Sequence, residues 1–161
     1  EYAKSAREVK KYYPDARFLL YGYPDDHPDS ISEKDIIENW YEKYGVEYCG
    51  YADDPKTAIR SCSIFVLLSY KEGTPRVVLE AMAMGRPIIT TDAPGCRETV
   101  QNGVNGFLVP PFKYLEASNA MKKLLNEDMR MEMGINSREY CESRFDVNDV
   151  NRVLLSEMGI T

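Results

Sequence analysis

The sequence holds a single histidine, and its four cysteines, Cys49, Cys62, Cys96 and Cys141, are scattered without a Cys-x-x-Cys pair. Metal and dithiol redox motifs are therefore not indicated. His27 lies in Pro24-Asp25-Asp26-His27-Pro28, where the turn-forming neighbours favour a solvated turn over a metal ligand. Positive charge is also scarce: 20 Lys and Arg against 26 Asp and Glu leave a net charge of −6. That balance argues against a broad surface for nucleic-acid phosphates, although a local anion site built from backbone N–H groups needs no net positive charge. No apolar run approaches the ~20 residues that span a bilayer, and no signal-peptide pattern opens the chain. Cys49 and Cys62 have apolar neighbours in sequence and are expected to be small buried thiols, which suits a reducing cytoplasm. Glu1 opens directly on helical sequence without an initiator methionine, so the sequence reads as a fragment.

What is present is ordinary for one globular domain. The 161 residues, 43% hydrophobic and 29% charged, suffice for a real core. Residues 2–12 favour helix. Arg17-Phe18-Leu19-Leu20-Tyr21 reads as a buried strand closed by Gly22. Ser32 with Asp35 resembles a capping box that opens a helix over 33–44, stopped by Gly45. Val46-Glu47-Tyr48-Cys49 is a short strand, and Asp54-Pro55 caps a short helix. Ser63-Ile64-Phe65-Val66-Leu67-Leu68 predicts a strand buried on both faces. A helix over 75–84, a strand over 87–91, a short helix near 96–101 and a strand over 106–110 follow. Helices are expected at about 114–126, 128–143 and 146–157. Strands alternating with helices predict an α/β fold, a Rossmann-like doubly wound parallel sheet with a helical C-terminal segment. Ligands in such sheets bind beyond the carboxyl ends of the strands, here the loops 22–30, 50–54, 69–74 and 92–96.

One of those loops leads into Glu72-Gly73-Thr74-Pro75-Arg76-Val77-Val78-Leu79-Glu80. With Thr74 as N-cap and Pro75 as first helical residue, the free N–H groups of the first turn face the ligand edge with partial positive charge. Such an end suits phosphate. Pro75 has no N–H, which leaves Gly73, Thr74, Arg76 and Val77 as donors, and Gly73 permits close backbone approach. At ~1.5 Å per residue Glu80 stands about 7–8 Å along the axis from Pro75, close to the offset between a diphosphate and its ribose. A carboxylate there can accept from two vicinal hydroxyls, while Glu72 would flank the diphosphate near a sugar. Spacing alone leaves a plainer reading open. Glu72 would then be an acidic residue favoured before a helix, and Glu80 would pair with Arg76 or face water.

The surrounding residues carry more. Ser69-Tyr70-Lys71-Glu72-Gly73-Thr74-Pro75 and Leu79-Glu80-Ala81-Met82-Ala83-Met84-Gly85-Arg86-Pro87-Ile88-Ile89 resemble the nucleotide-sugar segment of the family-4 (group 1) retaining glycosyltransferases of the GT-B fold. So do Thr91-Asp92-Ala93-Pro94-Gly95-Cys96-Arg97-Glu98 and Asn102-Gly103-Val104-Asn105-Gly106-Phe107-Leu108-Val109-Pro110. The resemblance runs from about Arg17 to Asn126 and is strongest for members that assemble bacterial capsular, exopolysaccharide or lipid-linked oligosaccharides.

The resemblance implies a C-terminal, donor-binding domain that faces an N-terminal acceptor domain across a cleft. It implies that Glu80 holds the ribose hydroxyls, that Glu72 positions the transferred sugar, and that backbone amides between them meet the diphosphate. It implies a nucleotide-diphosphate sugar, UDP by family preference, transferred with retention to a glycan or lipid-linked acceptor, with no metal or other cofactor. Gly50 and Tyr51 are candidates for base contacts, with a merely packed aromatic as the alternative for Tyr51. Thr90, Thr91 and Arg97 are weaker candidates, an ion pair being at least as good a reading of Arg97. Two departures stand out. Many relatives have glycine where Pro75 stands, and the family's basic strand, with its glycine-arginine pair and following lysine-glycine, is expected before residue 1. The chain alone is therefore expected to transfer no sugar and to bind its donor weakly. The full-length protein would be cytoplasmic, peripheral at the inner membrane face. Two other readings compete: a non-catalytic nucleotide-binding or interaction module that kept the fold, and a phosphorylase-like domain using inorganic phosphate.

Overall fold

A computed structural model of the protein describes residues 1–23 and 31–160. The His27 turn and most of the loop at 22–30 lie outside the described residues. The chain runs α1 (Tyr2–Lys10), β1 (Phe18–Leu20), α2 (Glu33–Asp35), a π turn (Ile36–Trp40), α3 (Tyr41–Tyr44), β2 (Val46–Tyr48), α4 (Pro55–Arg60), β3 (Phe65–Leu67), α5 (Arg76–Ala83) and β4 (Ile88–Thr91). A 3-10 turn (Arg97–Thr99), β5 (Gly106–Val109), α6 (Tyr114–Lys123), α7 (Glu127–Phe145) and α8 (Val147–Glu157) complete it.

Local signals set many of the boundaries. Ser32 Oγ accepts from the Asp35 N–H at 3.2 Å, Asp54 Oδ1 accepts from Lys56 N–H at 3.0 Å, and Gly45 stops α3 in the left-handed region at φ 70, where a side chain would be strained. The expected helix over 33–44 is interrupted by the π turn. Across it the Asp35 carboxylate accepts from Asn39 Nδ2 at 2.8 Å and from the Trp40 indole at 3.3 Å, one and two steps beyond an ordinary i+3 contact.

The strands form two parallel ladders, β1-β2 and β3-β4-β5. Phe18 pairs with Val46 in the first, and Ile88 pairs with both Phe65 and Gly106 in the second. The expectation that β3 is buried on both faces needs correction: all three of its residues are only half-buried, because β3 is the edge of its ladder. The strand buried throughout is β4, paired on both sides. Its alternation puts successive side chains on opposite faces. Ile89 joins the core with Val9, Phe18, Val46, Val109, Met121 and Leu124. Ile88 joins the core with Ile59, Val78, Ala81, Met82, Val100 and Cys141. Helices thus cover both faces of β4, the doubly wound Rossmann-like plan, and each buried isoleucine contributes about 1.5–3 kcal/mol. Cys49, expected to be buried, is exposed; β2 ends at Tyr48, leaving Cys49 on the lip beyond it.

Candidate functional site

All five strands point their carboxyl ends the same way within their ladders, and the loops leaving them carry the candidate residues. Gly22 N–H donates to the Gly50 carbonyl at 2.9 Å, joining the loops that leave β1 and β2. Glu72 N–H donates to the Pro94 carbonyl at 3.1 Å, joining the loops that leave β3 and β4. The site is thus assembled by pairing of neighbouring loops, each hung on a parallel strand.

The helix at the centre begins one residue later than its sequence suggests. Pro75, not Thr74, is the N-cap, with φ −70 and ψ 108, and no side chain caps the helix. Proline fits because its extended backbone leaves its carbonyl facing the helix, where it accepts from Val78 N–H at 2.9 Å and Leu79 N–H at 3.4 Å. Among the described residues, no protein acceptor takes the N–H of Gly73, Thr74, Arg76 or Val77. These are the donors expected at an anion-binding helix start. Gly73, Thr74 and Arg76 are exposed and Val77 half-buried.

Glu80 lies on the second turn of α5, between the buried Val78 and Ala81, and is itself half-buried. Four residues beyond Arg76, it stands about 6 Å along the axis from the helix start, a little nearer than the proline-based count. The plainer reading, a pair with Arg76, is not what forms. Among the described residues no hydrogen bond or ion pair engages the carboxylate of Glu80 or of Glu72. Both carboxylates are partly exposed, which leaves their oxygens open to water or to a ligand. Glu72 is half-buried as well.

Gly50 is half-buried, and Tyr51 is 56% exposed. Tyr51 lies outside the core but is packed on another aromatic, as the alternative reading has it: its ring lies parallel to Tyr23, with centroids 4.7 Å apart and 8° between planes. Tyr23 escaped the sequence reading. Its signal was a repeated dipeptide, Gly22-Tyr23 and Gly50-Tyr51, each placed where a strand ends. Tyr70 was also passed over. Its ring stacks on Phe112 with centroids 4.2 Å apart, and its hydroxyl donates to the Glu1 carboxylate. That hydrogen bond, reinforced by burial, pushes the Tyr70 phenol up to about 12.

Thr90 and Thr91 serve the fold. Both are buried; the Thr90 hydroxyl donates to the Leu67 carbonyl at 2.7 Å and the Thr91 hydroxyl to the Ser69 carbonyl. Arg97 forms the ion pair, Nε to Asp92 Oδ1 at 2.9 Å. Among the described residues no three His, Cys, Asp or Glu side chains gather as a metal site, and no helix is long and apolar enough to cross a membrane.

Comparison with known proteins adds the context. Residues 2–127 match the family described as glycosyl transferases group 1. The chain is 32% identical over 140 residues to the N,N'-diacetylbacillosaminyl-diphospho-undecaprenol alpha-1,3-N-acetylgalactosaminyltransferase of Campylobacter jejuni, covering 86% of this chain and 35% of that protein. It is 33% identical over 118 residues to the capsular polysaccharide biosynthesis glycosyltransferase CapM of Staphylococcus aureus, covering 73% of this chain and 31% of that protein. The chain thus spans about a third of the length of the curated relatives it matches. Among solved structures, Anabaena HepE in complex with UDP-glucose shares the fold at a TM-score of 0.78 and 23% identity, over 96% of this chain and 44% of that one.

Proposed function

The chain belongs to the group 1 glycosyl transferases, and on that premise we propose that it is the donor-binding domain of a retaining glycosyltransferase. The donor is a nucleotide-diphosphate sugar, with UDP as the nucleotide, and the acceptor is a glycan or lipid-linked glycan in polysaccharide biosynthesis. The observation that carries this reading is Glu80: a half-buried carboxylate on the second turn of α5, without a donor among the described residues, beside a helix start whose N–H groups have no acceptor among them. Phosphate oxygens at the helix start and ribose hydroxyls at Glu80 satisfy both sets at once.

In this reading Gly73, Thr74, Arg76 and Val77 offer backbone N–H groups to the diphosphate, with no bound metal. Glu72 accepts from hydroxyls of the transferred sugar and fixes its anomeric carbon relative to the leaving phosphate. During transfer the bond from that carbon to the diphosphate oxygen breaks, a bond to the acceptor oxygen forms on the same face, and the acceptor hydroxyl's proton passes to the departing diphosphate. The helix start stabilises the negative charge that develops on the leaving diphosphate. Gly50 and Tyr51 border the base. An acceptor domain outside these residues completes the cleft, so this chain alone binds donor weakly and transfers nothing. The base preference for UDP is supported by the fold shared with HepE, whose structure was determined with UDP and glucose.

Calorimetric titration of the chain with UDP tests the proposal. Removing a charged acceptor costs about 1.5–3 kcal/mol, so Glu80→Ala should weaken UDP binding by roughly tenfold or more. Equal affinity of the variant and the unsubstituted chain would sink the assignment of Glu80 and favour a non-catalytic module.

A further inference from the structure

The loop leaving β4 forms a bed beneath the Glu72 loop, and at Gly95 it leaves no room for a side chain against the Glu72–Gly73 backbone. Resting on the reading of Glu72 as a contact to the transferred sugar, we infer that Gly95 is a positioning residue. It sets where Glu72 stands, and so how well the site distinguishes a nucleotide sugar from the bare nucleotide.

The geometry is tight. A Cβ on Gly95 would lie 1.8 Å from the Gly73 carbonyl oxygen, 2.2 Å from the Glu72 carbonyl oxygen and 2.6 Å from the Glu72 carbonyl carbon, where ordinary contact begins at 3.4 Å. All three are backbone atoms, so no side-chain rotation relieves the overlap. The Glu72–Gly73 backbone would have to retreat by about 1.5 Å, a shift large enough to spoil a reacting geometry. Gly95 also sits at φ +83, a conformation that a side chain would strain.

The bed is firm where it meets Glu72. Ala93 and Cys96 are buried, Asp92 N–H donates to the Val109 carbonyl at 2.8 Å, and Cys96 N–H donates to the Ala93 carbonyl at 3.1 Å. Arg97 braces the loop from outside through the Asp92 carboxylate at 2.9 Å and the Asp92 carbonyl at 3.0 Å. Two bonds then fasten the Glu72 loop to this side: Thr91 hydroxyl to Ser69 carbonyl and Glu72 N–H to Pro94 carbonyl at 3.1 Å. None of these contacts reaches Glu80, whose helix packs through Val78, Ala81 and Met82 into the core containing Ile88. The sugar end of the site can therefore be displaced separately from the ribose end.

Amide NMR titration with UDP and with UDP-glucose, which reads weak binding, tests this on the chain itself through the ratio of the two affinities. Glu72→Gln serves as reference. Gly95→Ala should reproduce its loss, about tenfold in the UDP-glucose to UDP ratio from one charged hydrogen-bonding group, with any fall in UDP affinity limited to about tenfold, the share of the one displaced Gly73 N–H, and β4 amides unmoved. Arg97→Gln, which adds no bulk, should move the ratio the same way by about threefold, as befits an exposed brace. A Gly95→Ala chain with the unsubstituted ratio, beside a changed Glu72→Gln, would overturn the inference alone. Loss of the β4 amide pattern in Gly95→Ala would overturn it too, by making Gly95 a residue of the fold. An unchanged ratio in Glu72→Gln would overturn the reading of Glu72, and the inference with it, while leaving Glu80 to its own test.

Discussion

Asn105 offers the sharpest test of how the β4-β5 ladder is held at the edge opposite the candidate site. Its side chain is fully buried in the turn between the 3-10 segment and β5. Oδ1 accepts from Gln101 N–H at 2.7 Å, and Nδ2 donates to the Thr99 carbonyl at 3.1 Å. Its own carbonyl accepts from Ile88 N–H at 3.2 Å, a bond that any residue at 105 retains. Asn105→Ala therefore removes two bonds and leaves a donor and an acceptor without partners. At about 1–3 kcal/mol for each unsatisfied group, with part recovered by entering water, the expected loss is roughly 3–5 kcal/mol. That is a large share of the ~5–15 kcal/mol that holds a typical domain folded. Asn105→Asp keeps the acceptor, loses the donor and buries a charge, so it should be the worse of the two at pH 7. It should recover relative to alanine in acid, where a protonated carboxyl can again donate to Thr99. Urea unfolding followed by fluorescence of the single tryptophan, Trp40, supplies the numbers. A loss below about 1 kcal/mol for Asn105→Ala, with the slope of the transition unchanged, would refute the reasoning.

Two further outcomes follow from the same geometry. Tyr51→Ala should weaken UDP binding by roughly 3–10-fold through loss of a stacking face, and leave the UDP-glucose to UDP ratio alone; Tyr51→Phe should bind as the unsubstituted chain, and calorimetry that finds alanine equal to phenylalanine excludes a base contact. Arg17 grips Glu47 through two bonds, at 3.0 and 2.7 Å, and holds its carboxyl below the usual carboxylate value of 4.5. A depressed carboxylate stabilises the fold fully above its unfolded value, and loses that contribution as pH falls through its folded one. Glu47→Gln should therefore have a slightly lower urea midpoint at pH 7, and the difference should shrink progressively as pH falls below 4.5; a difference that does not shrink there contradicts the assignment.

Features fixed within a few residues were legible in the sequence. Ser32, Asp54 and Gly45 cap or stop helices because the atoms they use are neighbours in the chain. The parallel α/β plan and the placement of Glu72 and Glu80 at the ligand edge also emerged, since strand–helix alternation dictates them. Features set by distant partners did not emerge. Whether β3 is buried depends on what pairs with its second edge, which its own apolar run does not record. The Thr90 hydroxyl is claimed by the Leu67 carbonyl of β3 and the Thr91 hydroxyl by the Ser69 carbonyl just beyond it, contacts that exist only once the ladder forms. The start of α5 shifted by one residue because the proline backbone serves as well at the N-cap as at the first helical position. The π turn follows from the reach of Asp35 to Trp40, a side-chain preference with no periodic signature.

The two isoleucines of β4 bear on how this site tolerates change. Because Ile88 and Ile89 enter opposite cores, a slip of β4 by one residue would invert both faces and pull the Thr90 and Thr91 hydroxyls from their carbonyls. It would also carry Gly95 about 3.3 Å along the strand. Register moves in whole steps, so β4 itself cannot shift the bed under Glu72 by degrees. Mild damage to either core should therefore thin the population of folded molecules while those that remain keep the β4 register whole.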